Sequence, residues 1–182
     1  PVIMETLDKI AEVISEETEL ISLAPKITIE KMASKVSSKC IARMIPNATS
    51  YINEGYNPIA FAPEMEKEDR KEIKKLLKPL GKTIETDESK LEGYAIVSAM
   101  LPTYFWFQIQ ELEKIAQQCG LSEEEAAKTV KATLKRAIKT YYNSGLSPAE
   151  VMDLIPVKPI GEHETKIREI YQIKLMGLFG KA

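Results

Sequence analysis

The sequence predicts an α/β layer built on an open, mostly parallel sheet, followed by an all-helical half. Two observations point there. Up to about residue 88, short apolar runs alternate with segments of helical periodicity, the pattern of strands joined by crossover helices. From Asp87 onward the strand signals stop and only helical spacing continues, which puts a domain boundary near residue 88, with domains at 1–88 and 89–182. The stretch at residues 94–119 (YAIVSAMLPTYFWFQIQELEKIAQQC), whose core from Leu101 onward is the least polar run in the chain, lies in the second half. There Phe105, Ile109, Leu112, Ala116 and Cys119 recur at steps of four and three, so one helical face is continuously apolar. A helix over 103–119 would be about 25 Å long. The expectation is a buried rod, shared with a second subunit.

Each element has a local cause. Val2, Ile3, Leu7, Ile10, Val13 and Ile14 follow Pro1 at helical spacing and predict a first helix over 2–15, with Pro1 in its first turn. Residues 19–24 (ELISLA) form an apolar run closed by Pro25 and read as a strand buried on both faces. Thr28 caps a short helix carrying Ile29, Met32 and Val36. Residues 39–45 (KCIARMI) and 57–62 (NPIAFA) are the next strands, separated by a Pro46-Asn47 turn and a polar loop. Residues 66–80 give a highly charged amphipathic helix stopped by Gly81, and 82–85 a last short strand. Beyond the apolar rod, Ser122 with Glu125 forms a capping box for a helix to about Asn143. Ser147 caps a short helix through Leu154, Pro156 and Pro159 force an extended loop, and 165–179 is a final amphipathic helix.

Composition excludes several classes. The 182 residues are 44% hydrophobic and 29% charged, with a formal net charge of -2 and acids and bases interspersed, so no basic field invites nucleic acid or an anionic membrane. The two cysteines, Cys40 and Cys119, lie far apart without a CxxC, which argues against a disulfide framework or structural zinc and for a reducing, cytoplasmic setting. No signal peptide and no apolar run of about 18 residues is expected. None of the eight glycines forms a phosphate-cradling loop after a strand. GxSxG and HExxH are absent, and with a single histidine no metal site is expected. His163 reads as an acid or base at a domain junction or as a solvated residue at a helix start; with no partner named by the sequence, the second is preferred. The lysines at 71, 74, 75 and 78 are interleaved with acids and read as a solvated surface. Trp106 and its neighbours read as packing rather than a ligand pocket.

The runs SLAPKITIEKM (22–32), ARMIPNATSYINEG (42–55), LKPLGKTIETDE (77–88) and LEGYAIVSAMLPTYFWFQIQELEKIAQQCGLSEEEA (91–126) resemble, in order and at similar spacing, pyrroline-5-carboxylate reductase. The resemblance implies a partial Rossmann domain, the C-terminal half of a doubly wound sheet, followed by an all-α dimerisation domain. Family members carry their glycine-rich dinucleotide turn upstream of the segment matching Pro1, so use of NADP or NAD would need that N-terminal segment. It further implies a small imine or related substrate and a homodimer through the helical domain. Carried over by position, Leu23, Ala24, Pro46 and Asn47 form the nicotinamide-side wall, and Ser98, Lys158, Gly161 and His163 face the substrate. This chain departs from the family's SGSGPAY, where Ala99 and Leu101 replace glycines, from its SPGGTT, where residues 157–163 (VKPIGEH) carry no threonine, and from its SIAAG turn, replaced by residues 22–26. Two readings follow: an NAD(P)-dependent oxidoreductase with a divergent substrate loop, or a non-catalytic homologue acting through dimerisation or protein interaction. A scaffold that binds no nucleotide is a weaker third.

Overall fold

The computed structural model describes residues 2–180. Pro1, expected to open the first helix, lies outside them. The first element is α1 (Val2–Ile10), followed by a 3-10 turn Ala11–Val13, so the helix ends earlier than its apolar spacing predicts. Strand β1 (Leu20–Ser22) leads through a turn at Lys26, whose φ of 66° is left-handed, to α2 (Ile29–Ala33). Thr28 caps α2 as expected, its hydroxyl accepting from the Lys31 amide.

Strand β2 (Ile41–Met44) is buried along its whole length. A 3-10 turn, Ala48–Ile52, carries the chain to β3 (Gly55–Phe61), then α3 (Lys67–Leu76) and β4 (Gly81–Glu85). The sheet is four-stranded in the order β1-β2-β3-β4. Two pairings are parallel, β1 with β2 and β3 with β4, and the middle one, β2 with β3, is antiparallel. The cause of that reversal is the connection at 45–54, which holds a turn rather than a crossover helix and so brings the chain back alongside itself.

Gly55 pairs with Gly81 across β3 and β4. Gly81 has φ of 111°, and a Cβ there would collide with the Gly55 backbone, while one on Gly55 would collide with the Ser50 hydroxyl and the Leu80 carbonyl. The two strands therefore start at a separation only glycine permits.

The core gathers Met32, Ile41, Met44, Ile59, Ile73 and Leu91, all essentially closed to solvent. Leu91 begins α4 (Leu91–Tyr94), which runs into a π-helical turn, Ala95–Ala99, closed by the Met100 amide donating to the Ala95 carbonyl at 3.0 Å. Leu91 and Ala95 thus belong to the sheet's own core.

The chain divides into two compact units, Pro1–Pro102 with Leu175–Ala182, and Thr103–Lys174. The helices after the sheet are α5 (Leu101–Gln118), α6 (Glu123–Asn143), α7 (Pro148–Asp153) and α8 (Glu164–Phe179). Complete capping boxes start α6 at Ser122 and α7 at Ser147. The expected burial of α5 is not found within the chain: none of its described residues is buried, and Phe105, Trp106 and Phe107 are 46%, 53% and 65% exposed. In the second unit only Ala126 is buried among the described residues. The apolar seam exists, but one chain does not cover it.

Candidate functional site at the strand ends

Because β1 and β2 run parallel with Ser22 opposite Arg43, the residues that follow them leave the sheet on one edge. From β1 come Leu23 and Ala24; Leu23 is 52% exposed, and the Ala24 amide donates to the Ser22 hydroxyl at 3.3 Å. From β2 come Pro46, exposed, and Asn47, buried.

Asn47 is bound on every side by its own chain. Its Oδ1 accepts from the amide and hydroxyl of Thr49 at 2.8 and 2.6 Å, which starts the 3-10 turn. Its Nδ2 donates to the Ser98 carbonyl at 2.6 Å and reaches the Ser98 hydroxyl at 3.3 Å. Its backbone amide donates to Asn57 Oδ1 at 2.8 Å. Ser98 in turn donates its hydroxyl to the Tyr56 carbonyl at 2.7 Å. Asn57, fully buried, donates through Nδ2 to the Ser50 hydroxyl and the Leu80 carbonyl. The structure therefore brings together one residue expected on the cofactor side, Asn47, and one expected on the substrate side, Ser98. The polar atoms of both are engaged inside the chain, and the faces turned outward at this edge are those of Leu23 and Pro46.

Lys158, Gly161 and His163 lie in the other unit. Lys158 Nζ pairs with Asp153 Oδ1 at 3.0 Å. The Gly161 amide donates to the Lys158 carbonyl at 2.9 Å, and its missing Cβ would sit 3.1 Å from Lys158 Cβ, so the loop is tightly folded there. His163 is largely exposed, with Nε2 3.3 Å from Glu162 Oε1. Beside this loop is an apolar cavity of about 640 Å³, lined among others by Val151, Ile155, Val157, Ile160 and Ile167. On α5 and α8, the Tyr104 and Tyr171 rings lie 6.0 Å apart and tilted by 54°, and burial together with Tyr171 raises the Tyr104 phenol above its ordinary range.

Residue-by-residue reading of the sequence passed over Arg43, Glu88, Glu92 and Asn57. A signal was present for the first: a guanidinium in the middle of the apolar strand KCIARMI must find carboxylates when that strand is buried. Arg43 finds two, Glu88 and Glu92, at 2.9 and 2.8 Å.

Among the described residues no group of three His, Cys, Asp or Glu side chains can hold a metal, and no helix is long and apolar enough to cross a membrane. The strand-end edge presents the apolar side chains of Leu23 and Pro46 to solvent. It offers no glycine-rich cradle for a pyrophosphate, since Leu23, Ala24, Pro25 and Lys26 fill the turn after β1.

A mixed sheet with its helices, continued by long amphipathic helices, is a Rossmann-like fragment joined to a helical domain. Relatives and solved structures agree on which such protein it resembles. No protein-family model matches the chain. It is 24% identical over 184 residues to the pyrroline-5-carboxylate reductase of Corynebacterium melassecola, covering 99% of this chain and 68% of the relative. It is 26% identical over 167 residues to pyrroline-5-carboxylate reductase 2 of Bacillus subtilis, covering 91% of this chain and 59% of the relative. The fold matches Plasmodium falciparum pyrroline carboxylate reductase with NADP bound, with a TM-score of 0.77 and 21% identity over 97% of this chain and 73% of that one. It also matches the Streptococcus pyogenes enzyme, with a TM-score of 0.69 and 20% identity over 97% of this chain and 67% of that one. The likeness to pyrroline-5-carboxylate reductases thus holds across nearly the whole chain, and a divergent member of that family fits it. The chain spans 68% and 59% of these two curated relatives.

Proposed function

We propose that this chain is part of an NAD(P)-dependent oxidoreductase of the pyrroline-5-carboxylate reductase type, acting on a small imine or related substrate. Residues 1–88 are the C-terminal half of its nucleotide-binding domain and residues 89–182 its dimerisation domain. The observation that carries this is the Asn47–Ser98 junction, where a strand-end turn and the segment entering α5 are hydrogen-bonded into one rigid edge. When bound, a reduced nicotinamide supplies the hydride, and reduction of an imine also takes a proton at nitrogen. Leu23, Ala24 and Pro46 would exclude water from one face of the ring. Asn47 and Ser98 would act through the backbone they fix rather than by touching the ligand. Lys158 and His163 would offset Glu162 for an anionic substrate, provided Lys158 releases Asp153.

The exposed apolar faces of α5, α6 and α8 support a homodimer, since a single chain leaves them uncovered. A non-catalytic homologue is the second reading, favoured by two observations: the loop at 157–163 has no threonine, and its lysine is already paired. Isothermal titration of the full-length protein with NADPH, followed by turnover assays with pyrroline-5-carboxylate, separates the two. Cofactor binding with imine-dependent NADPH oxidation supports the enzyme, and silence in both sinks it.

A further inference from the structure

Arg43 lies in the centre of the sheet with its side chain 3% exposed, yet it carries a full charge. Its two terminal nitrogens go to two different carboxylates, Nη1 to Glu88 Oε1 at 2.9 Å and Nη2 to Glu92 Oε1 at 2.8 Å. Nε is buried without a partner, so the guanidinium forgoes a side-on pairing with one carboxylate in order to span both. Those same two oxygens each accept a backbone amide, one from the start of α2 and one from the turn after β1. Glu88 Oε1 takes the Ile29 amide at 2.7 Å, and Glu92 Oε1 takes the Lys26 amide at 3.0 Å. Lys26 is held there with φ of 66°, a conformation that a non-glycine residue keeps only under constraint.

We propose that Arg43 is a positioning residue. Through Glu88 and Glu92 it clamps the turn after β1, at Lys26, and the start of α2, at Ile29, to the start of the segment that carries Ser98. It thereby fixes the separation between the loop bearing Leu23 and Ala24 and the segment bearing Ser98. As a statement about ligand binding this rests on the reading of Leu23 and Ala24 as the nicotinamide-side wall; as a statement about the loop it stands on the hydrogen bonds alone. The arrangement suits such a role because a charge-assisted bond is directional and strong, and removing one partner leaves a buried charge unmatched. Each carboxylate sits where one helical turn separates 88 from 92, so a single guanidinium reaches both.

The test uses the full-length protein and amide hydrogen exchange. Glu92→Ala should accelerate exchange at Lys26, and Glu88→Ala at Ile29, by about tenfold or more relative to the sheet amides of Ile45, Ala62 and Thr86. Glu92→Gln, which keeps an acceptor oxygen, should restore most of the protection. Arg43→Met, if it folds, should loosen both amides together; if it does not fold, the two glutamate variants decide the matter. Unchanged exchange at Lys26 and Ile29, or acceleration equally across the sheet, overturns the proposal. In parallel, Glu92→Ala should weaken NADPH binding about tenfold, with recovery in Glu92→Gln. If the unsubstituted protein binds no dinucleotide, the proposed function fails while the exchange data still judge the clamp.

Discussion

In the sheet unit Met32, Ile41, Met44, Ile59, Ile73 and Leu91 are closed off from water, whereas in the helical unit Ala126 alone among the described residues is buried. The two have comparable apolar content to bury, and only one buries it. The sheet unit completes its core from its own strands and helices, including Leu91 and Ala95 from beyond the last strand. The helices place apolar side chains at the correct period and leave them facing outward. The difference teaches that helical periodicity reports a face that needs cover, and says nothing about whether the cover lies in the same chain.

The largest expected effect tests the closed half. Ile59→Ala empties space in a site with no access to solvent and should cost about 2–5 kcal/mol in urea unfolding, at every protein concentration. A loss below about 1 kcal/mol would mean that the sheet core is not independent.

The open half is tested next. Phe105→Asp should weaken the proposed self-association by about 2 kcal/mol or more, read as monomer in sedimentation equilibrium, while leaving the sheet's exchange protection in place. An unaltered dimer would remove α5 from the interface.

Asn57→Ala sharpens the picture within the sheet unit. It leaves the Asn47 amide and the Leu80 carbonyl without their partner and should cost about 1–3 kcal/mol. Exchange of the Asn47 and Ser50 amides should rise with it.

The smallest effect is electrostatic. The hydrogen bond from Lys74, together with that from Arg70, holds Glu85 below its ordinary value of 4.5 against the opposing pull of partial burial. A carboxylate depressed in the folded state stabilises above its unfolded value and loses that contribution as pH falls through the folded one. Wild type should therefore lose stability below about pH 4.5 more steeply than Glu85→Gln. Because the Glu85 side chain is 39% exposed and so screened by solvent, the gap should stay under about 1 kcal/mol, and identical acid limbs would show that these contacts contribute nothing.

Much of this was legible in the sequence. The four strands fall where the runs ELISLA, KCIARMI, NPIAFA and KTIE place them, because β-rich apolar runs bounded by Pro, Asn and Gly have few other outcomes. The capping boxes at Ser122 and Ser147 fix helix starts by local hydrogen bonding alone, so they too could be read off. Strand direction was harder: the reversal between β2 and β3 follows from the missing helix at 45–54, a cue that alternating strands and helices elsewhere mask. The π-helical turn at 95–99 leaves no signature in AIVSA, where a regular α-helix would read the same. Arg43 was visible as an anomaly, but its partners lie 45 and 49 residues on. Such pairings are set by tertiary packing and not by any local spacing.

The facing glycines of β3 and β4 have one more consequence. In a library where every position is varied to every residue, most of this seam should tolerate exchange among β-branched side chains, since its outer strand is only partly covered. Gly55 and Gly81 should instead stand out as two columns with a single permitted letter, and no replacement at one should rescue a replacement at the other, because each side chain would run into fixed backbone: the Leu80 carbonyl for position 55 and the Gly55 main chain for position 81.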